Sequence, residues 1–252
     1  MEIKPVILVL GDISGYTRFI RFHRLSLIHA ERIVTELLES VIAATGVPLV
    51  LYEILGDAVA FYAVDDGDES APDLIFSHVE GFFEAFRGRE AELVSECSMC
   101  RCDACLQVGR LRIKAVLHRG EAVFTSVRQF TKIAGSDVIL AYRLLKNTVP
   151  SREYILVTEQ FAARCPSARA RELERRVEPV EGFGDVAVRV LNLDRTDANG
   201  SPRTFWQRLK MFGTLDGYYV KRLLGRRAPT YTNLPGAAVS VDDVAAQDST
   251  AT

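Results

Sequence analysis

The regular exchange between strand-like and helix-like segments over residues 3–193 is the feature that most limits how this chain can fold. Residues 3–10 are apolar and rich in β-branched side chains, and they lead into Gly11, Asp12 and a short polar turn. Such a run is typical of a buried strand. From residue 18 to residue 44, apolar side chains recur at intervals of three and four, which predicts a long helix directly after the turn. This start predicts a layered α/β domain rather than a helical bundle.

The remaining patterns continue this exchange to residue 193. Two hairpins are predicted, with turns at Leu55–Asp57 and at His118–Gly120, because each turn separates two β-rich runs. In chain order the segments are a hairpin, a helix, a hairpin, a short helix, a strand and a strand pair, at residues 47–64, 72–94, 106–127, 136–146, 154–157 and 177–193. This order predicts an α/β (α+β) sandwich with a mixed, mainly antiparallel sheet instead of a doubly wound parallel one.

The composition allows one large domain with a core of its own. The chain has 252 residues, of which 48% are hydrophobic and 25% are charged. A chain of this length buries roughly 70–75% of the surface that its unfolded form exposes, so it needs no disulfide or metal merely to fold. The formal net charge of -2 argues against a surface built for nucleic acid, and no nucleic-acid partner is expected. No run approaches the ~18 apolar residues of a membrane span, and the apolar start is too short for a signal peptide, so a cytoplasmic location is expected.

The character of the sequence changes after residue 195, which is the predicted end of the domain. Residues 196–227 form a basic aromatic extension, because the part from 201 to 227 holds seven basic residues and one acidic residue among Trp, Phe, Tyr and Leu side chains. This composition is typical of a helix that lies on an anionic membrane surface or docks on a protein partner. The alternative is a helical extension folded on its own domain, since glycines interrupt any long amphipathic face. Residues 228–252 are predicted to be a disordered tail.

Four of the five cysteines are clustered as Cys97-x-x-Cys100-x-Cys102-x-x-Cys105. Thiolates at this spacing in a cytosolic chain favour a closed tetrahedral Zn²⁺ site, with an iron–sulfur cluster as the second candidate. Because the four residues are all cysteines and leave no open coordination position, the zinc is predicted to be structural. The remaining alternative is a redox-active or metal-free loop.

Two aspartates outside this cluster are candidate functional residues. Asp12 ends the first predicted strand, and Asp57 lies at the tip of the first hairpin. The first strand of a mixed sheet is usually central, so the hairpin can lie beside it and bring the two carboxylates together. Two such carboxylates repel each other unless a cation lies between them, and their oxygens beside a glycine-containing turn suit Mg²⁺ carrying a nucleoside triphosphate. The alternative is that both are ordinary turn residues.

Four segments, in the same order along the chain, resemble the class III nucleotidyl (adenylate/guanylate) cyclases. Asp12–Phe19 (DISGYTRF) resembles the family's DIRGFTxF segment, and Leu55–Ala58 (LGDA) resembles its IGDA hairpin. Arg112–Gly120 is similar to the RIGIHxG strand, and Gly135–Leu144 to the start of the GDTVNxAxRL helix. More narrowly, the chain resembles uncharacterised bacterial cyclase-like proteins with a DISGYT start and a cysteine-rich insert. The resemblance spans roughly residues 5–193 and implies the cyclase fold, with its ferredoxin-like palm.

The resemblance also implies a site and an assembly. It places the ligands of a two-metal Mg²⁺ or Mn²⁺ site on Asp12, Ile13 and Asp57. It places the contacts to a nucleoside triphosphate on Gly15, Tyr16 and Thr17. Class III cyclases complete their sites across a dimer, so a homodimer is expected.

Two positions depart from the family pattern. The family's Asn that orients the ribose and stabilises the transition state falls on Ile139, and its phosphate-binding Lys falls near Phe183, whereas the companion Arg is retained as Arg143. One donor aimed at the reacting phosphates is typically worth ~10²–10³ in rate. The sequence therefore predicts a complete metal site with only part of the groups that stabilise the transition state.

The predicted base pocket contains Glu53 and Lys132, at the two positions that select the base in the cyclases. An acceptor beside a donor suits the N–H and C=O that guanine and uracil both present, so GTP or UTP is predicted over ATP. The alternative is an ordinary ion pair between these two residues.

Three functions are compatible with these observations. The first is a degenerate or weak cyclase homologue that binds a nucleoside triphosphate with a divalent metal in nucleotide signalling. The second is an active cyclase, in which Asp12 and Asp57 hold the metals and Arg143 steadies the charge that develops on the phosphates. The third is a zinc-stabilised, non-catalytic dimeric interaction module.

Overall fold

The structure, a computed structural model, describes residues 1–16, 19, 24–97, 100, 102–170 and 173–194. Thr17, the extension at 196–227 and the tail at 228–252 lie outside the described residues, so what the sequence predicts for them stays a prediction. The described strands are β1 (Glu2–Ser14), β2 (Val50–Leu55), β3 (Ala58–Val64), β4 (Arg112–Val127), β5 (Phe130–Ala134), β6 (Tyr154–Thr158), β7 (Glu174–Val180) and β8 (Gly184–Asn192). The described helices are α1 (Arg24–Ala43), α2 (Ala71–Glu96), α3 (Asp103–Gln107), α4 (Ser136–Leu144), α5 (Glu159–Ala162) and α6 (Pro166–Ala170).

The strands form one mixed sheet in the order β2-β3-β1-β4-β6-β8-β7, and β5 pairs with β4 beside this path. β1 is central, because it pairs with β4 from Glu2 to Ser14 and with β3 from Val6 to Asp12, both antiparallel. The β4–β6 pairing is parallel, and the other described pairings are antiparallel. The predicted fold class, a mixed and mainly antiparallel α/β sandwich, is confirmed.

Both faces of the sheet carry a hydrophobic core, because side chains alternate along β1. Odd-numbered apolar residues of β1 belong to one core, to which α1 contributes Leu37 and α2 contributes Phe82. Val6, Leu8 and Leu10 of β1 belong to a second core, to which α4 contributes Ala141 and Leu144. The parity of a β1 residue therefore decides which helices surround it.

The predicted second hairpin at His118–Gly120 is wrong. β4 runs straight through this position, and the chain turns only where Arg128 adopts a positive φ of 55°, between β4 and β5. Gly120 serves a close approach instead of a turn: a Cβ there would lie 2.3 Å from the carboxyl carbon of Asp137, at the start of α4. Residues 106–110, predicted as the start of the strand, are helical.

The other predicted elements are present with shifted ends. Asp12 lies within β1 and not after it, because pairing with β4 continues to Ser14. The first helix is described from Arg24 and ends at Ala43. Residues 162–170, which fit no single pattern, contribute to α5 and α6. None of the helices described is long and apolar enough to cross a membrane.

Candidate functional site

The structure brings Asp12 and Asp57 together at one end of the β1–β3 ladder. Asp12 is paired in register with Ala58, the residue that follows Asp57, and the main-chain N–H of Ile13 donates to the carbonyl of Asp57 at 3.2 Å. The two carboxyl groups are close enough for Asp12 to perturb the ionisation of Asp57. The tight turn between β2 and β3, where Gly56 has a φ of 62°, thus delivers the second carboxylate to the first.

The two carboxyl groups of this pair have less positive charge near them than would neutralise both. Burial and the neighbouring Asp12 raise the pKa of Asp57 from 3.8 to about 7. Lys114, on the adjacent strand β4, places Nζ 2.9 Å from Oδ2 of Asp12 and donates to the carbonyl of Leu145 at 2.7 Å. Sequence reasoning missed Lys114, although its register opposite Asp12 follows once β1 and β4 are paired. One lysine therefore balances only one of the two carboxylates.

These residues fit a hard divalent cation. Two partly buried carboxylates held against their mutual repulsion would gain from a 2+ charge placed between them. Ile13 could add only its main-chain carbonyl, because its side chain lies in the core. Of the three metal positions implied by the cyclase resemblance, Asp12 and Ile13 are consecutive in the chain and Asp57 lies next to them. All three would bind a metal through oxygen atoms.

Directly after β1, Gly15 adopts a left-handed backbone conformation beside an arginine side chain. Gly15 has a φ of 94°, and a Cβ at this position would lie 3.0 Å from Nη2 of Arg152. The guanidinium of Arg152 is held there by donating from Nη2 to the carbonyl of Arg110 at 2.8 Å. Tyr16 turns its hydroxyl toward α1 and donates to Oε1 of Glu31 at 3.3 Å. Arg152 is thus a cation beside the predicted phosphate loop that sequence reasoning missed.

The predicted base-selecting residues do not contact each other. Glu53 accepts a hydrogen bond from the hydroxyl of Tyr142 on α4, whose own oxygen lies 3.4 Å from that of Tyr52. Burial and the Glu53 contact raise the pKa of Tyr142 above its usual value, so this hydroxyl stays a donor. Lys132 lies exposed on β5, opposite Thr125 of β4. Among the described residues no ion pair joins Glu53 to Lys132.

Arg143 lies beside the β7–β8 turn. Its guanidinium carbon is 5.9 Å from the ring centroid of Phe183, and its Nη1 is 3.8 Å from Oε2 of Glu181. Gly182 has a φ of 78° and leaves space for this arginine, because a Cβ there would lie 3.0 Å from Nη1. Ile139, one helical turn before Arg143, is 52% exposed. The two departures from the cyclase pattern thus flank the retained arginine with apolar surface.

A second cluster brings cysteines and a histidine together. Cys100, Cys102 and Cys105 place their sulfur atoms 3.5, 3.4 and 3.7 Å from Nδ1 of His29, which lies on α1. All four donor atoms lie within 4.8 Å of one another, and such a group could hold a metal. Cys97 is not one of the four, although its thiol contacts that of Cys105. Sequence reasoning missed His29, which lies far from the cysteines along the chain.

The thiols of this cluster affect one another's ionisation. The contact with Cys105 and the nearby Arg32 guanidinium lower the pKa of Cys97, against its burial. The same contact and burial raise the pKa of Cys105 far above its usual value. Burial raises the pKa of Cys100 as well. Packed thiols of this kind cannot all ionise without a cation among them.

Comparison with known proteins gives the chain a family. Over 166 residues it is 36% identical to "Uncharacterized protein Rv2561/Rv2562" of Mycobacterium tuberculosis, and the match covers 65% of this chain and 75% of that protein. The chain belongs to the family of Rv2561/Rv2562. Residues 34–154 also match the family described as "Protein of unknown function (DUF2652)". Both descriptions leave the biochemical activity open.

Solved structures place this Rv2561/Rv2562-family chain in a known fold. The adenylyl cyclase CyaB from P. aeruginosa superposes with a TM-score of 0.54 at 16% identity, covering 79% of this chain and 98% of that one. The guanylyl cyclase Cya2 gives a TM-score of 0.54 at 14% identity, covering 78% and 96%. Adenylate cyclases from Trypanosoma brucei give 0.53 at 14% identity, covering 79% and 92%. The chain has the fold of the class III cyclase catalytic domain, as its motifs predicted.

Proposed function

We propose that this protein is a divergent cyclase-homology protein that binds a nucleoside triphosphate together with Mg²⁺ or Mn²⁺ and acts in nucleotide signalling as a degenerate or weak cyclase. The observation that carries the proposal is the electrostatic contact between the Asp12 and Asp57 carboxyl groups, which the pairing of β1 with β3 brings together beside Gly15. A purely structural role does not account for this contact, because two carboxyl groups brought together and partly buried destabilise the fold unless a proton or a cation is supplied.

Each neighbouring residue has a task in this proposal. Asp12 and Asp57 hold the divalent cation, which when bound supplies positive charge to the phosphate oxygens. The main-chain N–H groups of the Gly15 turn and the guanidinium of Arg152 donate hydrogen bonds to the remaining phosphate oxygens. Lys114 forms an ion pair with Asp12, because its ammonium group lies 2.9 Å from that carboxylate. In this proposal these residues bind and orient the triphosphate, and none of them acts as a general acid or base.

Weak or lost turnover is favoured by the surroundings of Arg143. Ile139 can offer no hydrogen bond to a ribose, and Phe183 occupies the β7–β8 turn where the cyclase pattern has a lysine. The guanidinium of Arg143 lies over the Phe183 ring instead of facing a second cation. Loss of two donors, each worth ~10²–10³ in rate, would reduce a cyclase by several orders of magnitude.

An active nucleotidyl cyclase is the second candidate, and retention of Arg143 and of both aspartates favours it. In that reaction the ribose 3′-oxygen attacks the α-phosphorus, a 3′,5′-cyclic nucleotide forms and pyrophosphate leaves. The third candidate is a dimeric interaction module that carries a structural zinc and binds no nucleotide. Its support is the cysteine–histidine cluster alone.

The base preference is proposed to be for GTP or UTP over ATP. Glu53 supplies an acceptor, and the hydroxyl of Tyr142 holds its carboxylate in place. Lys132, exposed on β5, would approach the base only as part of a completed pocket. Tighter binding of ATP than of both other nucleotides in the presence of Mg²⁺ would contradict this preference.

A homodimer is proposed as the assembly that completes the site. The β2 strand leaves large apolar side chains in solvent, with Ile54 51% and Leu55 62% exposed. Such surface is typical of an interface. The basic extension at 196–227 is proposed to contact a membrane surface or a protein, and a cytoplasmic location is proposed with it. Flotation with anionic liposomes, comparing the full chain with a chain ending near Leu193, tests the membrane contact.

One assay separates the three candidates. The purified full chain is incubated with each of the four nucleoside triphosphates and Mn²⁺, products are identified by mass, and binding is measured in parallel. Binding without product, abolished by Asp12→Ala and by Asp57→Ala, supports the degenerate homologue. A cyclic product supports the active cyclase. Absence of both binding and product supports the interaction module and overturns the proposal.

A further variant tests why turnover would be weak. Ile139→Asn combined with Phe183→Lys restores both donors of the cyclase pattern, and we expect the rate of cyclic product formation to rise by at least ~100-fold. Ile139→Gln combined with Phe183→Leu is the matched control, because it changes the same positions without restoring the pattern. An equal rate in both variants would show that these positions do not limit turnover.

A further inference from the structure

We propose that His29, Cys100, Cys102 and Cys105 bind one Zn²⁺ in a closed tetrahedral site that fastens helix α1 to the segment between α2 and β4. This ligand set differs from the four cysteines that the sequence spacing indicates, because it replaces Cys97 by a histidine from another element. It is independent of the proposed nucleotide site, whose ligands are oxygens.

The distances carry the assignment. Zinc binds thiolate sulfur at about 2.3 Å and imidazole nitrogen at about 2.0–2.1 Å, so a regular tetrahedron has N···S edges of about 3.6 Å and S···S edges of about 3.8 Å. The three N···S distances from His29 Nδ1 are 3.4, 3.5 and 3.7 Å. The three nitrogen–sulfur edges therefore match those of a single-ion site, and all four donor atoms lie within 4.8 Å of one another.

The local structure explains why these donors converge. Cys102 precedes α3, and its sulfur accepts a hydrogen bond from the main-chain N–H of Cys105 at 3.5 Å. This N-cap hydrogen bond holds the Cys102 sulfur close to Cys105. His29 lies on α1 next to Ala30, which is 1% exposed, so it stands at the edge of the stripe that faces the core. The side chains of Cys102 and Cys105 also pack on that core.

The same spacing favours one ion over a cluster. An iron–sulfur cluster places two or more irons and bridging sulfides between its thiolates, which requires sulfur atoms farther apart than the edge of a one-ion tetrahedron. All four donor atoms here lie within 4.8 Å of one another. Three thiolates and one imidazole with no open position are a known ligand set of structural zinc sites.

Cys97 lies outside the ligand set but close to it. Its thiol contacts that of Cys105, and its main-chain carbonyl accepts from the N–H of Cys100 at 3.1 Å. Cys97 therefore shapes the turn that leads to Cys100 through its backbone, a role that does not need its sulfur. This difference between Cys97 and His29 makes the proposal testable.

The experiment measures metal content and affinity in the full-length chain. Wild type, Cys97→Ser, His29→Ala and His29→Cys are expressed with zinc in the medium, their metals are determined by mass spectrometry, and Zn²⁺ affinity is measured by competition with a chromogenic chelator. We expect about one zinc per chain for wild type and for Cys97→Ser. His29→Ala should bind zinc more weakly by more than ~100-fold. Losing a residue that only hydrogen-bonds to a metal ligand costs about 10–100-fold in affinity, and losing the ligand itself should cost more.

His29→Cys is the control for misfolding, because His29→Ala could lose zinc simply by failing to fold. Because zinc accepts a fourth thiolate, this variant should regain tight binding, and Co²⁺ loaded into it should show stronger thiolate-to-metal absorption than Co²⁺ in wild type. Tight zinc binding by His29→Ala together with loss in Cys97→Ser would overturn the proposal in favour of four cysteine ligands. Wild-type protein with iron and sulfide, or with no metal, would overturn it as well.

Discussion

The oxygen cluster at Asp12 and Asp57 and the sulfur–nitrogen cluster around His29 are opposite kinds of candidate metal site joined by the β1–α1 connection. The first offers two carboxylates, a nearby lysine and an arginine beside a glycine turn. The second offers four donor atoms within 4.8 Å of one another. A site with few ligands leaves room for phosphate oxygens on the metal, whereas a site that supplies all four ligands leaves none. This contrast is why we propose substrate binding at the first cluster and a structural metal at the second.

The largest effects should separate the two sites completely. Asp57→Asn should abolish Mg²⁺-dependent nucleotide binding and leave the zinc content at the wild-type value, because it removes an oxygen ligand only. His29→Ala should abolish tight zinc binding and leave nucleotide binding close to the wild-type affinity. It should also lower the melting temperature by several degrees, since a bound structural metal stabilises the folded state. Calorimetric titration and metal analysis of the same preparations measure this. If either variant lost both ligands with its fold intact, the two sites would not be independent.

The pH dependence of stability should be a smaller effect, and the oxygen site should contribute to it through Asp57. The pKa of Asp57 rises from 3.8 to about 7 on folding, so the folded protein holds an extra proton between these values and stability falls as pH rises towards and through 7. Without added Mg²⁺, urea unfolding at pH 6 and pH 8 should show lower stability at pH 8 for wild type.

The control for this pH effect is the isosteric variant. Asp57→Asn cannot ionise, so its stability should change less between pH 6 and pH 8 than that of wild type. Added Mn²⁺ should also flatten the wild-type curve, because the metal replaces the proton between the carboxylates. Identical slopes for wild type and Asp57→Asn would mean that the carboxyl pair does not govern stability in this range.

The smallest effect concerns the cation beside the glycine turn. Arg152→Ala should weaken binding of a nucleoside triphosphate by about tenfold, which corresponds to about 1.4 kcal/mol and to one charge-assisted hydrogen bond. Affinity for the nucleoside monophosphate should change less. Arg128→Ala, in the exposed β4–β5 turn, is the control. Equal losses for the two nucleotides would place Arg152 away from the triphosphate.

The sequence predicted that Asp12 and Asp57 lie together but missed the histidine beside the cysteines, and the reason is physical. Asp12 and Asp57 are far apart in the chain, but Asp12 lies in β1 and Asp57 in the turn before β3, and pairing of these two strands makes them neighbours. The cysteine spacing pointed to a site within one loop, whereas the structure takes one donor from α1. A polar His29 at the edge of an otherwise apolar helical stripe was the available signal, and it has meaning only when the packing of α1 is known.

The error at the second hairpin has a similar origin. Gly120 was interpreted as a turn residue, because glycine between two β-rich runs is a common turn signal. In the structure its missing side chain makes space for Asp137, whose carboxylate accepts from the N–H of Glu121 at 2.7 Å and lies 3.1 Å from Nε2 of His118. Sequence patterns report local conformation, and this glycine is required by a tertiary contact.

The hydrogen bond from Tyr16 to Glu31 has a consequence for the entropy of ligand binding. Tyr16 belongs to the predicted phosphate loop, and Glu31 lies two residues after the proposed zinc ligand His29. With α1 fastened by a metal, the Tyr16 hydroxyl is bonded to a helix that is itself held in place, so fewer conformations of this side chain remain for a ligand to suppress. The zinc site would then make a small contribution to nucleotide affinity, far below the effect of losing the Asp57 carboxylate.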